Sequence, residues 1–386
     1  MAVAVVVVVV VVVVKCRYRS HWSAWTGGAR PWTERSCDHP RMPAFPASLP
    51  AARTPDPMAA PPLRWGVLAP GRIAGAFVDA LRTNTRQRLV AVGSRSSDRA
   101  AQFAGTYGAE RPYDSYEQLV ADPDVDVVYV ASPHSEHHAL ALLAIAAGKH
   151  VLVEKAFCRN AIEAREVMRA ARAARVLVME AMWTRFLPQT DVLRQLLADG
   201  VLGEVITVLA DHGQSFAADP SGRLFNPALA GGALLDLGIY PLSFASFVLG
   251  EPDLVIAAGR LTDTGVDGQV SITLGRGAAQ ACLNTTLWSR TPTTASISGT
   301  VARAELSGPF YAPGVLTLTG SEERQLVRAP DAVTGHQGLC YEAAHLATLV
   351  ADGATESPLL PAEETIGILS IIDEIRRQIG VSYPGE

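Results

Sequence analysis

The spacing of apolar positions along the chain changes character twice. From Leu63 to Met179, short apolar runs alternate with amphipathic stretches. Leu63–Ala69, Arg88–Gly93, Val125–Ala131, His150–Val153 and Val176–Met179 read as strands. The third of these is nearly all apolar, as expected when both faces of a sheet are covered. Helices are predicted from Arg72 to Leu81, Ser97–Tyr107, Tyr113–Val120, Ser135–Ala147 (closed by Gly148 as a C-cap) and Asn160–Ala174. Such alternation implies βαβ units and a parallel sheet. After Gly200 the pattern shifts. Val205–His212 alternates, a polar loop runs to Gly232, and Leu235–Leu249 reads as an apolar helix. Strands follow with no helices between them: Leu254–Leu261, Gln269–Leu274, Ala279–Thr286, Thr294–Gly299, Ala302–Gly308, Val315–Thr319 and Arg324–Val327. They predict an antiparallel sheet. His336–Ala351 and Pro361–Ile379 close the chain as helices.

Composition narrows the function classes. The chain has 386 residues, a net charge of −5, 48% apolar and 18% charged residues. That length suits two domains, and no basic surplus points to nucleic acid. Cys16, Cys37, Cys158, Cys282 and Cys340 form no CxxC pair, so neither a disulfide framework nor a zinc site is expected and a reducing compartment is the default. The head differs from the rest: Lys15, Arg17, Arg19, Arg30, Arg35, Arg41 and Arg53 face only Glu34, Asp38 and Asp56. Its apolar run, Ala2–Val14, falls short of the ~20 residues of a spanning helix. The run has signal-like length, with Ala24 and Ala29 near a cleavage position. Its positive charges follow it instead of preceding it, which argues against a signal peptide. Residues 1–60 are therefore expected to be disordered and outside the working protein, with translation starting at Met58 or Met42. A cytoplasmic protein with no membrane or nucleic-acid partner is expected.

The candidate chemistry sits at strand ends. In open α/β sheets, ligands bind outside the carboxyl ends of the strands. Val151-Leu-Val-Glu154-Lys155-Ala156 puts a carboxylate and an amine at such an end; an exposed ion pair is the competing reading. The first turn matches a G-x-G-x-x-G/A dinucleotide fingerprint at Ala69, Gly71 and Ala74, with Ala69 a departure. Ala69, Gly71, Arg72 and Ile73 are the expected contacts there. The second strand ends in Ser94-Arg95 where an NAD enzyme usually carries an acid, so NADP is favoured over NAD. Ser132, His134 and His137 follow the third strand; a metal is not expected, and the loop is read as flanking the cofactor. Trp183 and Arg185, after the fifth strand, are read as a pocket wall and a polar clamp, or else as core tryptophan and surface arginine. Asp236 and Tyr240 are four apart, on one face of a predicted helix. Asp236 is read as orienting substrate, or as loading the helix N-terminus. Tyr240 is read as an acid/base whose pKa the Lys155 ammonium lowers towards working pH.

Together Val-Glu154-Lys155, Met-Glu180-Ala-Met-Trp183-Thr-Arg185-Phe and Gly-Gly-x-Leu-Leu-Asp236-x-Gly-x-Tyr240 resemble the Gfo/Idh/MocA oxidoreductase family. The likeness is greatest to its dimeric dihydrodiol dehydrogenase and NADP-dependent xylose dehydrogenase branch. It spans Leu63 to the C-terminus. Ala156 replaces the proline of the family's Glu-Lys-Pro motif, and Tyr240 stands where many members have histidine. The resemblance implies an α/β chain with a Rossmann domain over 61–183 and an α+β domain over 184–386. The large, mostly antiparallel open sheet of the second would mediate a homodimer or higher oligomer, and the C-terminal helix would return to the first. It further implies hydride transfer between NADP and a sugar, polyol or cyclic diol, with Lys155, Asp236 and Tyr240 catalytic and Glu154 beside the cofactor. An oxidoreductase that recycles tightly bound NADP and a non-catalytic nucleotide-binding module are the alternatives.

Overall fold

The computed structural model describes residues 45–320 and 322–386. The expectations for the valine run and for a signal or anchor fall outside those residues. The first domain alternates strand and helix: β1 (Arg64–Leu68), α1 (Arg72–Asn84), β2 (Arg88–Gly93), α2 (Ser97–Tyr107), β3 (Arg111–Tyr113), α3 (Tyr116–Ala121), β4 (Val127–Val130), α4 (His134–Ala146), β5 (His150–Glu154), α5 (Ala161–Ala174) and β6 (Val178–Ala181). The strands form one parallel sheet in the order β3-β2-β1-β4-β5-β6. The chain reverses its winding direction between β1 and β4, the switch point where doubly wound sheets open a crevice. Val67, Leu68, Val127, Val128, Tyr129, Val151, Leu152 and Val153 have no exposed surface, which explains their continuous apolar runs.

The second domain follows with α6 (Pro188–Ala198), β7 (Val205–Gly213), α7 (Ile239–Leu249), β8 (Leu254–Leu261), β9 (Asp267–Arg276), β10 (Ala279–Thr286), β11 (Ala295–Gly299), β12 (Ala302–Leu306), β13 (Leu316–Gly320), β14 (Gln325–Arg328), α8 (Cys340–Ala351) and α9 (Ala362–Ile379). Its eight strands run β14-β13-β12-β11-β7-β10-β9-β8, all neighbours antiparallel except β7 and β10. The segment Pro227–Leu249 has mean hydropathy 1.6, yet 83% of its apolar window is buried within the fold. It is a core element. The C-terminal helix does return to the first domain: the amide of Ala161 donates to Asp373 Oδ2 (2.9 Å), and Arg165 reaches Ser370 (3.2 Å).

Two helices open irregularly where the periodicity suggests regular starts. A π turn, Leu234–Gly238, precedes α7, and a 3₁₀ turn, Gly335–Leu339, precedes α8. The short edge strand β3 and helix α6 were not anticipated.

Residues 45–60 correct the expectation of disorder up to residue 60. Phe45 lies so close to Gly320 that a Cβ there would meet its ring at 2.6 Å. The Arg53 backbone and guanidinium both donate to Asp191, at 2.7 and 2.8 Å, and Gln195 Nε2 donates to Ala51 O at 2.9 Å. A Pro-rich segment without periodicity can still be ordered when its polar groups find partners on the body. A chain lacking residues 1–57 loses all these contacts; one lacking 1–41 keeps them. The shorter chain should melt a few degrees lower by calorimetry, and equal melting temperatures would show that the segment contributes nothing to stability.

Candidate functional site

The carboxyl ends of the parallel strands open into a cavity of about 900 Å³, closed on its far side by the second domain. Ala69, Gly71, Arg72 and Ile73 line it at the β1–α1 turn. Gly71 caps α1 without a side-chain bond, and no acid occupies the first turn. The helix N–H groups therefore stay available to an anion. In α2, α3 and α5, by contrast, Ser96, Ser115 and Asn160 occupy those donors. Ala69 has φ 61°, a left-handed conformation that costs a non-glycine residue about 1–2 kcal/mol. The alanine thus keeps the turn a glycine would make. Ser94 and Arg95 follow β2 on the same wall, joined by Arg99 and Tyr116, which the sequence reading missed. Two guanidinium groups and a hydroxyl, with no acid at the strand end, suit a 2′-phosphate. The open helix terminus and this basic corner fit NADP.

Lys155 leaves β5 at the centre of the cavity. Its Nζ donates to Asp236 O (2.7 Å) and Asp236 Oδ1 (3.1 Å) and lies 5.2 Å from the centre of the Tyr240 ring. The π turn explains why that carbonyl is free. In a π register residue 236 faces residue 241, and Pro241 has no N–H to offer. In the α register the same proline fails to pair with Leu237 O, which lies 3.2 Å from His212 Nδ1. Asp236 also takes both arms of Arg223, at 3.0 and 3.3 Å. Lys155 and Arg223 hold its carboxyl far below the usual range, against the opposing effect of burial.

The loop that carries Lys155 is braced from beneath. The Lys155–Ala156 peptide bond is cis, and Ala156 is fully buried. His134 Nε2 lies 3.3 Å from Lys155 O, and its Nδ1 lies 3.1 Å from Ala230 O. Phe157 N donates to Glu180 Oε1 (3.1 Å), whose other oxygen accepts from Thr365 (3.2 Å). Tyr129 donates to Glu154 Oε1, and Glu154 Oε2 accepts from Lys155 N. Burial lowers the His134 pKa to about 3, keeping the ring neutral.

Most of the expected residues converge here: Ser132, His134, Glu154, Trp183, Asp236 and Tyr240 line the cavity with Lys155. Two do not. His137 is wholly buried, its nitrogens 2.9 Å from Ala156 O and 2.9 Å from Ser132 O. It supports the loop and does not touch the cofactor space, because the α4 turn aims it under the sheet edge. Arg185 is no pocket clamp. It is buried against Ser243 O (2.7 Å) and Glu364, where it ties α7 to α9. A third correction concerns Tyr240. Burial and Glu154 push its phenol well above the ordinary value, against a hydrogen bond from Trp183 Nε1 (3.1 Å). The Lys155 charge faces Asp236, so Tyr240 remains a neutral phenol.

Besides Arg99, the sequence reading missed Arg223, His212, Tyr311 and His336. Tyr311 stacks on Tyr240 with centroids 4.5 Å apart, and His336 lies parallel to Trp183 at 6.0 Å. Neither belongs to a motif; Tyr311 comes from a turn and His336 from the 3₁₀ turn before α8.

Glu180 supplies a test of the brace. Burial raises its pKa to about 7 from an unfolded value near ~4.3. A raised carboxyl contributes stability below the unfolded pKa and loses it as pH rises through the folded one. Relative to Glu180→Gln, the native chain should therefore lose up to about 3 kcal/mol between about pH 5 and 8. Denaturant melts of both proteins across that window measure it; parallel curves would disprove the shift.

Comparison with known proteins agrees with this geometry. Residues 63–182 match the oxidoreductase family with an NAD-binding Rossmann fold, and residues 190–305 match the GFO/IDH/MocA C-terminal domain. Trans-1,2-dihydrobenzene-1,2-diol dehydrogenase of Sus scrofa is 40% identical over 331 residues, covering 83% of this chain and 98% of that protein. The Homo sapiens enzyme of the same name is 37% identical, with the same coverage. A 3-ketoreductase from Actinomadura kijaniata, solved with NADP and TDP-benzene, superposes with a TM-score of 0.74 at 26% identity, covering 83% of this chain and 98% of that one. An aldose-aldose oxidoreductase from Caulobacter crescentus, complexed with glycerol, gives 0.74 at 26% identity over 82% and 97%.

Proposed function

We propose that this chain, which belongs to the Gfo/Idh/MocA family and is an NAD(P)-dependent oxidoreductase, moves a hydride between NADP and a carbon bearing a hydroxyl or carbonyl in a sugar, polyol or cyclic diol. One observation carries the reading: Lys155, Asp236 and Tyr240 meet in a single cavity beside an uncapped helix N-terminus and a basic corner. When bound, NADP supplies the redox chemistry at its nicotinamide; Gly71, Ser94, Arg95 and Arg99 would hold its phosphates. The protein's share is position and charge. Tyr240 Oη accepts from Trp183, so its own proton is free for a substrate oxygen in the reducing direction. Lys155 places a positive charge where that oxygen gathers electron density. Asp236, held ionised, accepts from a substrate hydroxyl. Trp183, Tyr311 and His336 form aromatic walls against water.

The test is an NADP-reduction screen over aldoses, polyols and cyclic diols, with NAD alongside. On an active substrate, Lys155→Met should lower kcat by at least about a hundredfold while still binding NADP, followed by fluorescence titration. Near-native turnover would refute the assignment.

The same reading places the protein in the cytoplasm as a homo-oligomer. Cys158, Cys282 and Cys340 are all free thiols. The outer face of the second sheet carries an uncharged row across five strands, Ile256–Thr273–Cys282–Leu209–Ser296, by its pairing register. Ile256 and Leu209 are 54% and 48% exposed. Such an uncharged face with two exposed aliphatic side chains suits a second copy of the chain. A Leu209→Asp, Ile256→Asp double variant should elute as a monomer in gel filtration with light scattering, and an unchanged mass would refute this interface.

A further inference from the structure

Asp236 is held by two cations of different standing. Lys155 projects from the sheet framework, has a second acceptor in Asp236 O (2.7 Å), and is only 14% exposed. Arg223 comes from the loop between β7 and α7, and its side chain is 50% exposed. Its guanidinium has no other acceptor among the described residues.

The stem of Arg223 is nonetheless fixed. Gly232 N donates to Leu224 O (2.9 Å). A Cβ on Gly231 would stand 2.7 Å from Arg223 O and 2.6 Å from Leu224 O. The double glycine at the start of the Asp236 turn is what admits this backbone. Leu224 and Phe225 then anchor in a small apolar cluster of their own with Ala233, Leu237 and Leu287. A pinned backbone thus carries a half-exposed, fork-shaped head into the cavity. Both carboxylate oxygens of Asp236 are occupied, Oδ1 twice. Oδ2 carries a single bond, from Arg223 at 3.3 Å, so a substrate hydroxyl reaching Asp236 settles beside that arm or takes its position, and Arg223 is the more exposed of the two partners.

We propose that Arg223 is a substrate-contacting specificity residue. It yields one arm's position on Asp236 to the substrate hydroxyl and donates to the oxygen on the neighbouring carbon. A guanidinium fork matches two adjacent oxygens, and a site built to bond the second oxygen discriminates against a substrate lacking it. The inference rests on the function proposed above.

The experiment compares the full-length native enzyme with Arg223→Met and Arg223→Lys on a matched pair, trans-cyclohexane-1,2-diol and cyclohexanol. In Arg223→Met the diol-to-cyclohexanol ratio of kcat/KM should fall at least about tenfold, chiefly through the KM for the diol. Arg223→Lys should restore part of it, and NADP affinity should hold within about twofold. A second arm reads binding without turnover, as thermal stabilisation by each alcohol at saturating NADP. Native protein should respond to the diol more than to cyclohexanol, and Arg223→Met should lose that difference. Equal loss of kcat/KM for both alcohols, an unchanged ratio, or no diol-specific stabilisation of the native protein would overturn the proposal. Diol-specific stabilisation that depends on Arg223 without any NADP reduction would uphold it while removing cyclic diols from the substrates proposed above.

Discussion

The ion pair between Lys155 and Asp236 joins the two halves of this molecule at the point where the chemistry is expected. Lys155 ends a strand of the parallel sheet; Asp236 opens the buried helix of the second domain. Their side chains are 14% and 8% exposed, so each would be costly to bury without the other. Everything that fixes either partner therefore also fixes the geometry of the cleft. The Asp236 carbonyl strengthens the constraint, because Lys155 is bonded to backbone as well as to carboxylate. Rotation of the Asp236 side chain alone would not release it.

The supports on the two sides differ in kind. On the Lys155 side they are buried side chains from the first domain and α9: His134, His137 and Glu180 hold the loop by its main chain, and Thr365 donates to Glu180. On the Asp236 side they are backbone devices. Pro241 has no N–H to offer the carbonyls of this turn, and Lys155 Nζ donates to Asp236 O while His212 Nδ1 lies 3.2 Å from Leu237 O. Asp267 Oδ2 accepts from Leu234 N at 2.6 Å, and Gly232, at φ 119°, leaves the room that this carboxylate needs. Tyr383, near the C-terminus, donates to Gly231 O at 2.7 Å. The end of the chain thus helps to hold a turn at its middle.

These devices also explain what the sequence could and could not reveal. The alternation of strands and helices, the position of Lys155 at a strand end and the Gly-Gly…Asp236…Tyr240 run were legible, because each follows from a short period or a fixed local spacing. Ala69 departs from the fingerprint in residue type but not in backbone conformation. Direction across the sheet was not legible. His137 and Arg185 lie within motifs that point at the cleft, yet one turn of helix aims His137 beneath the loop, and the 3₁₀ turn after β6 aims Arg185 at α7. Tyr311, His336 and Arg223 carry no local signal of a site, since only tertiary packing brings their segments to the cavity. The segment around Arg53 was misread for a related reason: it has no period of its own, and its partner Asp191 is 138 residues away.

Charge in the cleft then follows from burial more than from residue type. Glu154, Glu180 and Glu342 are close enough to repel one another if ionised together; burial pushes each of their carboxyls upward. Both oxygens of Glu342 lack a partner among the described residues, which suits a neutral acid and not a carboxylate. His212, with its pKa lowered to about 4, is neutral as well. Asp236 is the exception, kept ionised by two cations. Asp236 is thus the anion that two cations fix in the cleft, one a buried ammonium and the other a half-exposed guanidinium. With the Lys155 side chain only 14% exposed, little water stands between it and the oxyanion of the proposed reaction. Tyr240, with its pKa pushed up by the same burial, retains the proton that the oxyanion would take.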